Sequence, residues 1–241
     1  MLYTTRGIVF HQTRYSESSL IVKIFTETLG LQSFMVKGVH SKRSKNKAAL
    51  FQQLTLLNLV ADKREGKSLH YIRDITLDFN YHTVHTDLNK RAVILFLADL
   101  LHRSIREETP NTTLFNWLYH ALTWYDLNDQ ETLNFHLLFM VQLSRFLGFY
   151  PRQHPGLRND YFDLQEGEFT DRKPEHPDYF SGEMAVFLVM LQNLSFENSG
   201  DLKLSNKNRR LILDALLTYY RLHLPGFGEL KSLEVLKSIF E

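Results

Sequence analysis

The first eighty residues alternate apolar and polar positions with the period of two that is typical of β-strands. In the segment SLIVKIFTE (19–27), the even-numbered residues would form one face of a strand and the odd-numbered residues the other. Gly30 can adopt the positive φ that a tight turn requires after this strand. The five predicted strands are TRGIVFHQ, SLIVKIFTE, LQSFMVKGV, QLTLLNLVAD and LHYIRDITLDF. Five short strands in so short a stretch predict a small barrel of the OB-fold type.

From about Thr86 onward the apolar period lengthens to that of amphipathic helices. The predicted N-caps of these helices are Thr86, Asn111 or Thr112, Asp129, Ser181 and Ser205. The stretch 150–180 is irregular, although YFDLQEGEFT within it has the form of a small hairpin that turns at Glu166-Gly167. The sequence therefore predicts an α+β protein of two domains. These are an OB-fold barrel over 1–80 and an all-α domain over 81–241, with an irregular insert at 150–180 that carries the β-hairpin.

Positive charge is concentrated near the N-terminus, although the formal net charge of the whole chain is only +1. Residues 1–80 contain 12 Lys and Arg against 6 Asp and Glu, whereas residues 81–241 contain 16 against 21. No acidic residue lies between Thr28 and Ala61. The densest part is KGVHSKRSKNKAALF (37–51), whose basic residues are Lys37, Lys42, Arg43, Lys45 and Lys47. This uneven distribution indicates two regions with different partners.

The basic segment lies in a predicted loop between strands, where a barrel presents binding groups. Phosphate backbones are the commonest partners of such a surface, because cations that neutralise phosphates release counterions. Arg6, Arg14 and Lys23 add cations in the same predicted domain. The aromatic residues nearby are Tyr15, Phe25, Phe34 and Phe51, which could stack on bases or form the core. An alternative is a protein–protein adaptor, in which the basic segment serves only solubility or an acidic protein.

The motifs of catalysis and of cofactor binding are absent from the sequence. There is no phosphate loop, HExxH, GxSxG or GxGxxG motif, so a hydrolase would need an unfamiliar site. There is no Cys, which excludes disulfides and thiolate metal sites. The eleven histidines, of which His82 and His85 are three apart, supply no set of three or four metal ligands. We therefore expect no enzyme activity, metal or cofactor. Because no signal peptide or membrane span is evident, we expect the cytoplasm.

Three segments together resemble the RecO family of bacterial DNA repair proteins. The first is TRGIVFHQTRYSESSLIVKIFTETLGLQSFMVKGVHSKRSK, which contains a GIVL-like strand, a Y-x-E-x-S-L-I-V segment, an FT-x-x-x-G turn and a KGxR-like segment in the order of the family. The others are LSRFLGFYP (143–151) and HLPGFGELKSLEVLKSIF near the end. The resemblance covers nearly the whole chain, and the order and spacing of the motifs make it specific.

The resemblance implies an N-terminal OB domain and a helical C-terminal domain. It implies a non-enzymatic recombination mediator that binds single- and double-stranded DNA and anneals complementary strands. It also implies binding to the acidic C-terminal tail of single-stranded-DNA-binding protein, and cooperation with RecR in loading RecA. Many relatives carry a four-Cys zinc module after the segment that matches LGFYP. Because this chain has no Cys, we expect a metal-free insert held by apolar residues such as Tyr161, Phe162 and Phe169.

An acidic tail that ends in an apolar residue and a free carboxylate needs an apolar pocket with one or two cations at its rim. The helical region offers Arg145, and Arg103 or Arg106, as a carboxylate clamp, since the planar fork of Arg can hold both carboxylate oxygens. The apolar residues beside Arg145 are Phe139, Leu143 and Phe146.

Overall fold

The computed structural model describes residues 1–39, 48–128, 132–156 and 158–239. The chain divides into two compact units. The first comprises Met1–Leu127 with Leu230–Leu236, and the second comprises Asn128–Glu229 with the residues from Lys237 onward. The helices between residues 88 and 127 belong to the first unit, and the predicted domain boundary after residue 80 stays a prediction.

The first unit contains a closed five-stranded barrel, as predicted. Its strands are β1 (Leu2–Arg14), β2 (Ser19–Thr26), β3 (Gly30–Lys37), β4 (Leu56–Asp62) and β5 (Leu69–Phe79). They are ordered β1-β2-β3-β5-β4, and β4 closes the barrel by antiparallel pairing with β1. The pair β3–β5 is parallel, and the other pairs are antiparallel. This is the arrangement of an OB fold.

The barrel core follows the predicted alternation. The even-numbered residues of β2, from Leu20 to Ile24, point inward together with apolar residues of the other strands. Gly7 of β1 also lies inside, where a Cβ atom would come within 2.6 Å of Ile24 Cγ2 and 2.8 Å of Leu59 Cδ2. Only glycine therefore fits where β1 crosses between its two neighbours.

Two helices of the first unit, α1 (Leu88–Ser104) and α2 (Thr112–Leu127), follow the barrel in sequence. Helix α1 packs on β1. Phe25, on the outward face of β2, stacks on Phe10 with ring centroids 5.5 Å apart and meets Phe115 of α2 at 6.1 Å. This side of the barrel is therefore covered by helices, and Phe25 is only 1% exposed.

The second unit combines helices with a small sheet. Its helices are α3 (Phe135–Phe146), α4 (Glu183–Asn193) and α5 (Asn206–His223), with single 3₁₀ turns at Thr132–Asn134 and Ser199–Asp201. The sheet has the order β7-β6-β8, with β6 at Tyr161–Asp163, β7 at Glu168–Thr170 and β8 at Tyr179–Ser181. The predicted hairpin is β6–β7, and the third strand, β8, was not predicted. A short helix, α6 (Leu233–Ser238), lies near the C-terminus. Among the described residues, no helix is long and apolar enough to cross a bilayer.

The prediction of Thr86 as the first helix cap is wrong by one position. Asp87 is the N-cap of α1, and its carboxylate accepts the backbone N–H groups of Asn89 at 2.7 Å and Lys90 at 3.0 Å. The Thr86 hydroxyl instead donates to the backbone carbonyl of Thr83 at 3.1 Å. Thr and Asp are both good caps, so two in succession leave the start of a helix undetermined by one residue.

The other predicted caps have different outcomes. Ser205 and Asn111 each accept a backbone N–H from the residue three positions later, at 3.1 and 3.0 Å. Ser181 is instead the last residue of β8, and α4 begins after Gly182. Asp129 lies outside the described residues.

Candidate nucleic-acid interface

Two turns flank the β3–β5 pair, the β1–β2 turn beside the last residue of β3 and the β4–β5 turn before the first residue of β5. Ser19 at the start of β2 pairs with Lys37, the last residue of β3, and Met35 of β3 pairs with Tyr71 of β5. The β4–β5 turn lies beside the start of β1, where Asp62 pairs with Leu2, and its Arg64 reaches the Tyr71 ring. Oligonucleotides bind OB folds through the β2–β3 face and these two loops. We call this region the basic end. Its described members are Arg14, Tyr15, Lys37, Lys63, Arg64, Lys67 and Tyr71.

Two cationic side chains lie near the Tyr71 ring at the basic end. The guanidinium carbon of Arg64 lies 4.3 Å from the centroid of the Tyr71 ring, and Lys37 Nζ lies 5.8 Å from it. Both cations belong to exposed residues, so they reach solvent while the ring attracts them. Aromatic rings and guanidinium planes are the groups on which unpaired bases stack. The arrangement can therefore offer a stacking surface and phosphate-binding charges together.

The β1–β2 turn adds a second ring and a third cation to the basic end. Tyr15 is 65% exposed, and its backbone N–H donates to the Ser19 carbonyl at 2.9 Å. Arg14 is exposed, and its Nε donates to the Ser16 carbonyl at 3.3 Å. The other three aromatic residues considered from the sequence are core residues, at most 1% exposed: Phe25, Phe34 and Phe51. Tyr15 is therefore the one of the four that could stack on a base.

Most of the basic segment lies outside the described residues, namely Lys42, Arg43, Lys45 and Lys47. Both ends of the segment are described. Val39 is 1% exposed and its backbone N–H donates to the Ser18 carbonyl at 3.0 Å. Ala48 packs against the barrel core. The segment therefore leaves the barrel beside the β1–β2 turn, next to the basic end.

Arg6 lies in the first half of β1 and pairs with Asn58 of β4. Its guanidinium binds both carboxylate oxygens of Glu27, at 2.8 and 3.0 Å, and donates to the Asn116 side-chain oxygen at 2.8 Å. It also lies over the rings of Phe115 and Tyr119, 5.2 and 5.0 Å from their centroids. The hydrogen bond to Glu27 raises the pKa of Arg6. This guanidinium therefore already joins the barrel to α2.

Lys23 lies in the middle of β2, half-buried and opposite His11 of β1. The His11 ring stacks in parallel on His102 of α1, with centroids 4.4 Å apart. Burial, together with the positive charge of His11 and of Lys23, lowers the pKa of His102 to about 4. Burial also lowers the pKa of His11. At neutral pH the two rings are therefore uncharged, and Lys23 is the cation of this group.

The predicted clamp residues belong to different compact units. In the first unit, Arg103 Nε donates to Asp99 Oδ1 at 3.0 Å, and Arg106 is exposed just after α1. In the second unit, Arg145 is exposed and its guanidinium lies 4.4 Å from the centroid of the Tyr150 ring.

The apolar residues expected beside Arg145 are largely unavailable to a partner. Phe139 and Leu143 are completely buried, and Phe146 is half-buried. They form core rather than an open pocket, so the aromatic neighbour of Arg145 at the surface is Tyr150 of the following loop.

Comparison with known families agrees with the motifs. Residues 1–80 match the family described as "Recombination protein O N terminal", and residues 85–234 match "Recombination protein O C terminal". The chain belongs to the RecO family. Relatives named "DNA repair protein RecO" are 39% identical in Bacteroides fragilis, 38% in Christiangramia forsetii and 37% in Phocaeicola vulgatus, and each match covers 100% of both chains. Membership of the RecO family supports a role in DNA repair and recombination.

In this RecO-family chain the insert is held by aromatic packing. Phe162 and Phe169 are completely buried, with ring centroids 4.8 Å apart, and Phe180 is 6% exposed. The Asp163 carboxylate accepts two backbone N–H groups of the hairpin turn and lies 3.1 Å from His176 Nε2. Over the described residues, no group of three or more His, Asp and Glu side chains could hold a metal ion.

The sequence analysis missed part of the basic end. The segment DKREGKS, which carries Lys63, Arg64 and Lys67, was not singled out as a candidate for binding. Its position between the fourth and fifth strands of a predicted OB fold was the available signal, because that loop binds ligands in such folds. Tyr71 gave no signal of its own, since one of its cations comes from β3 and the other reaches it only through the fold of the preceding turn.

Proposed function

We propose that this RecO-family chain is a non-enzymatic recombination mediator that binds single- and double-stranded DNA at the basic end of its barrel. One observation carries the proposal. Lys37, Arg64 and Tyr71 converge where OB folds bind oligonucleotides, next to a segment with four further Lys and Arg residues. In this proposal the cations neutralise phosphates, and the stacked pair of Arg64 and Tyr71 accepts an unpaired base.

Binding of this kind would not depend on base sequence. Loop cations contact phosphates, which position a nucleic acid but do not distinguish bases. Annealing of complementary strands is downhill once their mutual repulsion is screened and they are held close. The proposal therefore includes annealing without a nucleotide cofactor and assistance to RecR in loading RecA, which we expect to occur in the cytoplasm.

A fluorescence-anisotropy titration with labelled oligonucleotides at several salt concentrations tests the DNA-binding proposal. If all five cations of the basic segment contact a single strand, they contribute about −3.5 to the slope of log K against log salt. Changing Lys42, Arg43, Lys45 and Lys47 together to Ala should flatten the slope and weaken all sequences alike. Arg64→Ala and Tyr71→Ala should each weaken single-strand binding. Arg91→Ala removes an exposed cation of α1 and serves as the control.

Two outcomes would count against the proposal. An unchanged slope in the folded quadruple variant would move the DNA site away from the basic segment. Absence of any binding by the wild-type chain at low salt would favour the alternative of a protein–protein adaptor.

The proposal also assigns the acidic tail of single-stranded-DNA-binding protein to the arginines of the helical region. Arg145 is the strongest candidate, because its guanidinium is exposed beside the Tyr150 ring and could hold a carboxylate while the ring contacts an apolar residue. Arg103 and Arg106 are the other candidates. Acidic surroundings would help specificity by repelling DNA.

Titration of a peptide copy of the tail against Arg145→Ala and Arg103→Ala/Arg106→Ala tests this assignment. We expect the peptide to lose affinity while DNA binding is retained. Equal peptide binding by wild type and all these variants would reject the clamp and leave the DNA-binding proposal intact.

A further inference from the structure

His70 lies directly beneath the basic end. It is the second residue of β5, follows the β4–β5 turn that carries Arg64, and precedes Tyr71. The side chain is 2% exposed, and its ring meets the ring of Phe34 in the barrel core edge-on, with centroids 6.1 Å apart. A polar ring buried so deeply must have its nitrogens satisfied by neighbours.

The hydrogen bonds around Gln32 fix which nitrogen of His70 carries the proton. The Gln32 amide nitrogen faces two backbone carbonyls, of Leu29 at 2.6 Å and Glu108 at 3.3 Å, and carbonyls only accept. The Gln32 side-chain oxygen therefore faces His70 Nε2, at 2.9 Å, and must accept from it. Nε2 therefore carries a proton, and the ring is neutral because its other nitrogen accepts a hydrogen bond from Arg64.

The other ring nitrogen then holds the β4–β5 turn. His70 Nδ1 has a free lone pair in this tautomer and accepts the backbone N–H of Arg64 at 3.2 Å. The bond fixes the backbone at the residue whose guanidinium stacks on Tyr71. A chain of side-chain and backbone hydrogen bonds thus runs from β3 through His70 to the turn.

We propose that His70 is a positioning residue, whose Nδ1 holds Arg64 on Tyr71 and thereby sets the single-strand affinity of the basic end. The inference rests on the proposed DNA-binding function and adds a residue that contacts no DNA itself. It also makes that affinity dependent on the neutral form of a buried histidine.

The charges that face His70 favour its neutral form. Burial lowers its pKa, the cation of Lys63 in the same turn lowers it further, and Glu108 opposes them. Protonation would place an N–H of the ring against the N–H of Arg64. The hydrogen bond from the Arg64 backbone N–H to His70 Nδ1 is therefore fully formed above the ordinary pKa of 6.5. It is lost as the pH falls through the lowered pKa of His70. The contribution of Arg64 to binding should fall in the same range.

Two isosteric variants separate the two hydrogen bonds of the ring. His70→Asn keeps an acceptor near the position of Nδ1, and His70→Gln keeps a donor near the position of Nε2 without that acceptor. We expect His70→Asn to bind a labelled single strand nearly as wild type does at about pH 7.5, and His70→Gln to bind about tenfold more weakly, the size of one stacking contact. Thermal unfolding of both variants serves as the check on folding.

A double variant separates the positioning role from a general loss of stability, because it compares the effect of Arg64→Ala on single-strand binding in two backgrounds. In the wild-type background Arg64→Ala should weaken binding, whereas in the His70→Gln background it should change little, because Arg64 is already displaced. Nitrogen NMR of the His70 ring should show the Nε2–H tautomer at neutral pH.

The results distinguish a failure of the positioning role of His70 from a failure of the proposed DNA site. If Arg64→Ala weakens binding but His70→Gln binds like wild type, the positioning role is overturned and the DNA site stands. A proton on Nδ1 would overturn it as well. If Arg64→Ala has no effect in any background, Arg64 does not contribute to DNA affinity and the positioning role of His70 is overturned with it. The quadruple variant of the basic segment then tests the DNA site independently of Arg64 and His70.

Discussion

At the scale of single residues, the arginines of the first unit differ in what holds their guanidinium groups. Arg64 is exposed and lies on the half-buried ring of Tyr71, whereas Arg6 is bound by a carboxylate, an amide and two rings. A guanidinium that already has charged and hydrogen-bonded partners loses them if it moves to a phosphate. We therefore expect the two arginines to respond to substitution in different ways.

Arg6→Ala should lower the free energy of unfolding by about 1–3 kcal/mol, because it removes charge-assisted hydrogen bonds that join β1 to Glu27. Urea unfolding measures this, and the salt slope of DNA binding should stay that of the wild type. The Arg6 hydrogen bond lowers the pKa of Glu27, so this stabilisation is present above the ordinary pKa of 4.5 and is lost as pH falls through the lowered value. A reduced salt slope would instead make Arg6 the DNA contact that the sequence suggested.

The stacked pair of His11 and His102 predicts a second pH effect. Burial holds the pKa of His102 at about 4, below its ordinary value of 6.5, so the folded state favours the neutral ring. The contribution of the neutral ring to the free energy of unfolding should be fully present above pH 6.5. It should decline as the pH falls toward about 4, by at most about 3 kcal/mol.

His102→Phe keeps a ring on His11 without a titrating group and should flatten this decline in urea unfolding followed against pH. Equal pH dependence in wild type and variant would show that the stack does not titrate as its burial implies.

The sequence predicted inward-facing residues better than surface partners. The alternation in β2 put Leu20, Val22 and Ile24 on one face because a period of two is local information, and that face is the core. Phe25 faces the other way and is still buried, because helices that follow much later in the chain cover that face. The partners of Arg6, and the Lys37 partner of Tyr71, likewise come from distant segments. Such non-local pairings leave no periodic signal, so the centre of the basic end could not be predicted.

At the scale of elements, aromatic packing holds the short strands of the insert in the second unit together. Each of its strands has three residues and contributes one phenylalanine to a common cluster of Phe162, Phe169 and Phe180. Tyr219 of α5 adds an edge-on ring 5.3 Å from Phe162. The cluster supplies the burial that so small a sheet lacks by itself.

Phe162→Ala should destabilise the chain by about 3–5 kcal/mol, since it removes a completely buried ring from the centre of this cluster. Arg172→Ala, an exposed change in the same insert, should have little effect in the same unfolding measurement. We also expect a strong chelator to leave the melting temperature unchanged. Stoichiometric zinc in protein purified without a His-tag would contradict the prediction of a metal-free insert.

At the scale of the whole molecule, the sign of the net charge differs between the N-terminal and C-terminal parts of the chain. The net charge of +6 over residues 1–80 includes the basic end, whereas residues 81–241 carry −5. Such a division suits a protein that attracts nucleic acid to one region and keeps it from another.

Annealing of complementary oligonucleotides should accelerate with added protein, and equally with and without ATP, because the chain has only to screen repulsion and hold two strands together. A fluorescence-quenching assay follows the rate, and the double variant Lys37→Ala/Arg64→Ala should slow it while Arg91→Ala should not. Annealing that appears only with ATP would indicate a nucleotide site.

The anchoring of Val39 and Ala48 has a further consequence for the charges between them. In the proposed site, the four cations of the basic segment belong to the same chain as Tyr71, so their concentration near a strand bound at Tyr71 does not depend on the concentration of the protein. Cations that would bind a phosphate only weakly as a free peptide would then act as an intramolecular second contact, and dissociation of the strand would require both contacts to open together.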